Sequence, residues 1–220
     1  MKMAKKIKTI ILDGDGTTWH YSIKGSHFGS SWDALSYAYG IGQEAELLLE
    51  HYYTKPELYG EWIGVHAALF TDRECVVAER KMWPIPYNLG LKELAQRTKG
   101  LMRRGIISTG LDLCARKAAE ELDLDFCFCN ALLRRNGRFS GEVLDNVPLC
   151  EKLRVMKTFL SALNLDPKQV CYVGDSKGDI PCMAIAGLAV AFNPKDKETR
   201  AAADLVISDN RALIKYLDLS

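Results

Sequence analysis

Short apolar runs alternate with stretches of helical period along most of the chain. "KTIILD" (8–13) is continuous, apolar and β-branched, the pattern of a strand buried on both faces. "GLKELAQRTKG" (90–100) has the spacing of an amphipathic helix closed by Gly100. "LMRRGIIST" (101–109) leads into a second strand, "LDLCARKAAEEL" (111–122) is a helix and "DFCFCN" (125–130) a third strand. "LLRRNGRFSGEV" (132–143) reads as two alternating runs around Asn-Gly, a strong local hairpin signal. A helix at "EKLRVMKTFLSAL" (151–163), a strand at "QVCYVGD" (169–175) and a helix at "DIPCMAIAG" (179–187) follow. "LAVAF" (188–192) and "ADLVIS" (203–208) complete the strands. This alternation predicts an α/β fold, a doubly wound, Rossmann-like parallel sheet.

One stretch breaks the alternation. Residues 19 to about 85 read as helical and loop-like, and they contain all four histidines (His20, His27, His51, His66) and all four tryptophans. The stretch carries net charge −4, which leaves +5 on the remainder of a chain whose total is +1. Such a shift marks an inserted second unit. Trp32, Tyr37, Tyr39, Tyr52, Tyr53 and Trp62 are read as its own small core, and its histidines as surface or packing residues.

The bulk numbers narrow the function. At 220 residues and 48% hydrophobic, the chain can build one sizeable core with an insertion. A net charge of +1 gives no reason to expect nucleic acid. No apolar run is long enough to span a bilayer, and the basic start "MKMAKKIK" leads into a strand, not a signal peptide. Seven scattered cysteines without a CxxC pair are read as reduced thiols of a cytoplasmic protein, not a zinc site.

The polar residues cluster at strand ends, where open parallel sheets bind ligands. The first strand ends in Asp13 and Asp15, the second in Ser108 and Thr109, and the 170–173 strand in Gly174 and Asp175, with Asp179 four further on. Lys152 opens the helix before that last strand. Four carboxylates in one crevice need a cation, and oxygen-only ligands suit Mg²⁺ shared with a phosphate. A calcium loop of the EF-hand kind would need a Glu at its twelfth place, where Lys24 stands.

D13-x-D15-G-T, a strand ending in Ser108, then Lys152, then G174-D175-xxx-D179 resembles the four-motif signature of the haloacid dehalogenase superfamily. The likeness covers residues 7–18 and 86–218 and is nearest to the phosphoserine phosphatases, which share the hairpin, the "VGD" strand and the "GLAVAFNPKDKETRAAADLVI" ending. It implies a core of residues 1–18 and 86–220 with a helical cap at 19–85. It implies a Mg²⁺-dependent phosphatase acting on a small phosphorylated metabolite through an aspartyl-phosphate, as a monomer or homodimer. Asp13 would be the nucleophile and Asp15 the acid and base. Mg²⁺ would bind Asp13, the backbone carbonyl of Asp15 and Asp175, with Asp179 near its waters. Gly14, Ser108, Thr109 and Lys152 would hold the phosphoryl group. Trp19, His20, Ser31, Arg73 and Arg80 are the candidates for the rest of the substrate. In phosphoserine phosphatases a cap glutamate soon after the first motif meets the substrate amine. Here "TTWHYSIKGSHFGSSW" has no acid before Asp33, so phosphoserine is not expected to be the best substrate. A phosphomutase and a non-catalytic binding protein on the same scaffold are the alternatives. A dehalogenase fits poorly, because metal-free halide displacement gives Asp15 no role.

Overall fold

A computed structural model describes residues 7–26 and 28–219. The basic start (1–6) and His27 lie outside the described residues. Strand β1 (Thr9–Leu12) is buried at every position, as a run apolar on both faces requires. Successive side chains alternate between two cores: Ile10 and Leu12 face one, Ile11 the other. Four helices follow it: α1 (Ser31–Ala38), α2 (Gly42–Tyr52), α3 (Tyr59–Ala68) and α4 (Cys75–Met82). The chain continues through α5 (Leu91–Thr98), β2 (Arg103–Leu111), α6 (Asp112–Glu121), β3 (Phe126–Arg135) and β4 (Arg138–Leu144). It ends with α7 (Lys152–Ala162), β5 (Val170–Gly174), α8 (Ile180–Ile185), β6 (Leu188–Phe192), α9 (Lys197–Ala202), β7 (Leu205–Ile207) and α10 (Asn210–Tyr216).

The strands form one sheet of order β4-β3-β2-β1-β5-β6-β7. All neighbours are parallel except β3 and β4. The chain therefore lays down β2 and β3 on one side of β1, then returns to lay down β5 on the other. This is the switch point of a doubly wound sheet, where the connections diverge and leave a crevice at the carboxyl ends.

Three features depart from the sequence expectation. The third strand and the first run of the hairpin are one strand, β3, which leaves parallel pairing with β2 and continues into antiparallel pairing with β4. The turn between β3 and β4 is Asn136-Gly137, both at positive φ (52° and 76°), as a two-residue hairpin turn demands. Second, β2 runs past Ser108 and Thr109 to Leu111, and its register against β3 shifts between Ile107 and Leu111. Ser108 and Thr109 thus occupy an irregularity that releases backbone from the ladder. Third, two helices, α9 and α10, lie where the sequence pattern predicts none: at six and seven residues each is too short to show a helical period.

The aromatics of the 31–82 segment pack as rings against rings. Trp32 lies 4.8 Å from the buried His66 ring, His66 5.7 Å from Phe70, and Phe70 6.3 Å from Phe139 of β4. Tyr52 stacks on Trp62 at 6.2 Å. This small core is therefore continuous with the edge of the sheet.

Candidate active site

Asp13 follows the last residue of β1, and its backbone N–H still bonds the β5 carbonyl of Val173 at 2.9 Å. The sheet thus fixes the residue before its side chain is considered. The chain then turns sharply: Thr17 and Thr18 N–H groups donate to the Gly14 carbonyl at 3.2 and 2.7 Å, and Thr18 Oγ1 donates to Asp13 O at 2.5 Å. A Cβ on Gly14 would collide with Ser108 Oγ, so only glycine lets the first and second strand ends meet.

Lys152, first residue of α7, is buried, and its ammonium reaches Asp13 Oδ1 at 2.5 Å and Asp179 Oδ1 at 2.8 Å. Asp179 also accepts from the Tyr172 hydroxyl at 2.9 Å and from the N–H of Asp175 and Ser176 at 3.1 and 3.2 Å. Burial would raise the Asp179 carboxyl, but Lys152 and these donors hold it below the usual range. Burial likewise opposes charge on Lys152, and the two aspartates outweigh it, so Lys152 stays an ammonium. For Asp13 burial dominates and Asp179 adds to it; Lys152 opposes, and the carboxyl is pushed up to about 8.

Asp175, the residue after β5, is in a different state. Lys195 Nζ lies 2.7 Å from its Oδ2, yet both carboxylate oxygens are buried without a hydrogen bond. Burial, against the pull of Lys195, pushes this carboxyl up to about 6. One oxygen from each of Asp13, Asp175 and Asp179 lies within 4.8 Å of the others. With Asp15, four buried or half-buried carboxylates face two ammoniums. The surplus negative charge and the orphaned oxygens of Asp175 are what a bound divalent cation relieves, and an all-oxygen donor set fits Mg²⁺.

Asp15 has donors of its own. Its Oδ1 accepts from Trp19 Nε1 at 2.7 Å and from Ser31 N at 2.6 Å, and its Oδ2 from Ser31 Oγ at 2.9 Å. Burial nonetheless leaves the carboxyl raised. Ser108 is buried. Its Oγ accepts from Gly110 N at 3.0 Å, which leaves the hydroxyl proton free to donate. Thr109 presents its carbonyl to Trp32 Nε1 at 3.3 Å and Asn130 Nδ2 at 3.1 Å.

The residues expected to meet the rest of the substrate have other placements. Trp19 is fully buried and its single polar atom is taken by Asp15, so it has nothing left to bond a substrate. Ser31 is fully buried and engaged with Asp15 and with Leu111 N. Arg73 folds onto its own unit, donating to Leu69 O at 3.0 Å and Tyr39 O at 3.3 Å and lying over the Tyr39 ring. Arg80 is exposed in the last turn of α4, and His20 is exposed beside Gly29.

Sequence reasoning missed Lys195, Tyr172 and Asn88. Lys195 lies in a stretch read only as a family-like ending. Tyr172 is hidden inside an apolar strand. Asn88 donates to the carbonyls of Gly16 and Thr17 at 2.9 Å each and so braces the Asp13–Asp15 turn from 72 residues away.

A haloacid dehalogenase-like hydrolase profile matches residues 10–184, and the chain belongs to that family. It is 29% identical to the phosphoserine phosphatase of Archaeoglobus fulgidus over 74% of this chain, a segment that spans 48% of that relative. It is 25% identical to the phosphoserine phosphatase of Methanocaldococcus jannaschii over 98% of this chain and 100% of that one. A solved structure described as a phospho-aspartyl intermediate analogue of phosphoserine phosphatase has the same fold, at TM-score 0.78 and 24% identity over 96% of this chain and 99% of that one. Within the family the chain is similar to proteins named phosphoserine phosphatase. No helix among the described residues is long and apolar enough to cross a membrane.

Proposed function

We propose that this hydrolase removes the phosphate of a small phosphomonoester metabolite in two displacements at phosphorus, with Mg²⁺ as its cofactor. The observation that carries the reading is the buried Asp13 carboxylate, paired with the Lys152 ammonium 2.5 Å away and set beside the unbonded oxygens of Asp175. Asp13 Oδ attacks phosphorus, and the bond from phosphorus to the ester oxygen breaks. Asp15 gives that oxygen its proton. Asp15 then takes a proton from water, the water oxygen attacks phosphorus, and the bond to Asp13 breaks to release phosphate. Lys152, the Ser108 hydroxyl and the backbone around Gly14 and Thr109 hold the transferring group in place. Asp13, Asp175 and the Asp15 backbone carbonyl would hold Mg²⁺, with Asp179 behind them; the ion supplies positive charge that lets a carboxylate approach a phosphate dianion.

Residues 1–18 and 86–220 form the catalytic core in this reading, and 19–85 form a cap that excludes water and reads the alcohol end of the substrate. All seven cysteines are free thiols, which supports a reducing compartment such as the cytoplasm. The relatives named phosphoserine phosphatase make phosphoserine the first substrate to try. Against it as the preferred one, the earliest acid of the cap, Asp33, is engaged: its Oδ2 accepts from Ser26 Oγ at 2.8 Å and Ser30 N at 2.9 Å. The test is phosphate release from a panel of phosphorylated metabolites, with Mg²⁺ and with EDTA, for the wild type and Asp13→Asn. Mg²⁺-dependent release that falls at least about 10³-fold in Asp13→Asn supports the reading. Undiminished release in excess EDTA, or from Asp13→Asn, overturns it.

A further inference from the structure

The donors around Asp15 differ at its two oxygens. Oδ1 receives an indole N–H from Trp19 at 2.7 Å and the backbone N–H of Ser31 at 2.6 Å. Both groups can only donate, so a proton on Oδ1 would face two other protons. Oδ2 receives only the Ser31 hydroxyl, at 2.9 Å, and a hydroxyl can donate or accept. Any proton that Asp15 carries therefore rides on Oδ2.

Ser31 is well built for this place. It is the first residue of α1, after the N-cap Ser30, whose side chain accepts from Asp33 N. The Ser31 N–H is thus one of the helix donors that no intrahelical carbonyl can satisfy, and it points at Asp15. Its hydroxyl is held from the opposite side by Leu111 N, which donates to Oγ at 3.0 Å. Leu111 ends β2, and a Cβ on the neighbouring Gly110 would collide with Asp15 Oδ2 and crowd Ser31 Oγ. Trp32 beside it donates to Thr109 O at 3.3 Å. The first turn of α1 is therefore pinned to the core at Asp15, Thr109 and Leu111 together. Ser31 itself is fully buried.

We propose that Ser31 is a positioning residue for the acid–base step: its backbone N–H fixes Oδ1 of Asp15 while its hydroxyl aims Oδ2 at the ester oxygen. This rests on the reading of Asp15 as acid and base. It adds that the helical unit supplies the group that orients Asp15, so the acid is correctly aimed only while α1 is seated on the end of β2.

The test compares two aryl leaving groups that differ in basicity. 4-Nitrophenolate leaves as an anion without help, whereas phenolate, as basic as the tyrosine side chain at about 10, needs a proton. The ratio of kcat/KM on 4-nitrophenyl phosphate to that on phenyl phosphate thus reports delivery of the proton in the first displacement. With Mg²⁺ saturating, Ser31→Ala is expected to raise that ratio at least about tenfold, and Ser31→Thr, which keeps the hydroxyl, to bring it back toward the wild type. Asp15→Asn is the reference and raises the ratio further. If Ser31→Ala lowers both substrates equally while Asp15→Asn stays selective, the positioning role is overturned and the reading of Asp15 stands. If Asp15→Asn is itself unselective, that reading fails and the proposal with it. Should Ser31→Ala not fold, Ser31→Cys, of nearly the same volume with a weaker hydrogen-bonding thiol, is measured against the same two outcomes.

Discussion

Lys195 Nζ stands 2.7 Å from Oδ2 of Asp175, yet the carboxylate receives no hydrogen bond from it. The contact is a close ion pair, and the Lys195 side chain is 39% exposed. Asp175 therefore keeps its lone pairs for another cation, while Lys195 adds a positive charge that this cation must face. Lys195→Met is expected to lower the half-saturating Mg²⁺ concentration about threefold, the scale of a partly exposed charge pair. The Mg²⁺ dependence of phosphate release measures it. A raised Mg²⁺ requirement would show that Lys195 orients Asp175 instead of competing at it.

Gly16 makes the same point sterically. Its φ is +90°, and a Cβ there would collide with Oδ2 of Asp175. Gly16→Ala strains the turn and pushes Asp175 away from Asp13. We expect kcat/KM to fall at least about 10²-fold, as when a reacting group shifts by an ångström. Gly137, at φ +76° with open space around the position, is the control. Gly137→Ala is expected to cost roughly 1 kcal/mol of stability and leave the kinetics alone. Thermal melts and steady-state rates on the two variants separate the effects.

The parts of this site that the sequence revealed are those with a local cause. Asp13, Ser108 and Asp175 follow apolar runs, and a parallel sheet brings the ends of such runs together without further information. Lys152 was visible through its place in a known motif order. The hydrogen bonds around Asp15 were not readable, because Ser31 and Leu111 are 80 residues apart and nothing in either segment marks the other. Arg73 misled for a related reason: a cap arginine suggests an anionic ligand, while its real partners are carbonyls and a ring of its own unit. The continuity of β3 was obscured because its change from parallel to antiparallel partner occurs inside one strand.

His66 gives the helical unit a pH dependence. It is 5% exposed, its Nε2 lies 2.9 Å from Ser36 Oγ, and Trp32 and Phe70 flank its ring. Burial lowers it from 6.5 to about 4, against the weaker opposing pull of Asp33. The unfolded chain thus takes up a proton below pH 6.5 that the folded one refuses until about pH 4. Stability from the neutral, buried form is fully present above 6.5 and is lost as pH falls from 6.5 toward 4, by up to about 3 kcal/mol. His66→Gln removes this titration. Urea denaturation at several pH values is expected to show the wild type losing stability relative to the variant across that window. Parallel curves would mean that His66 titrates alike in both states.

The last prediction concerns the alcohol end of the substrate. An ammonium is held by a carboxylate with free lone pairs, and a buried one is best held by two or three acceptors. Asp33 is the first acid after Asp15, and it accepts from Ser26 Oγ and Ser30 N in the capping arrangement of α1. Turning it toward a ligand would break the Ser30 N–H half of the α1 capping box, at about 1 kcal/mol, and would loosen Ser31, the residue that aims Asp15. Glu44, the next acid, is exposed in the first turn of α2. The exposed imidazole of His20, before Asp33, suits a neutral or hydroxylated alcohol better than an ammonium. We therefore expect phosphoserine to be surpassed, in kcat/KM, by at least one phosphomonoester that lacks an amine. Asp33→Asn should lower thermal stability without changing the order of substrates. Steady-state kinetics over the panel decide it. Phosphoserine as the best substrate, with kcat/KM of about 10⁵ M⁻¹s⁻¹ or more and a KM that rises selectively in Asp33→Asn, would show that Asp33 leaves its capping bonds to bind the amine.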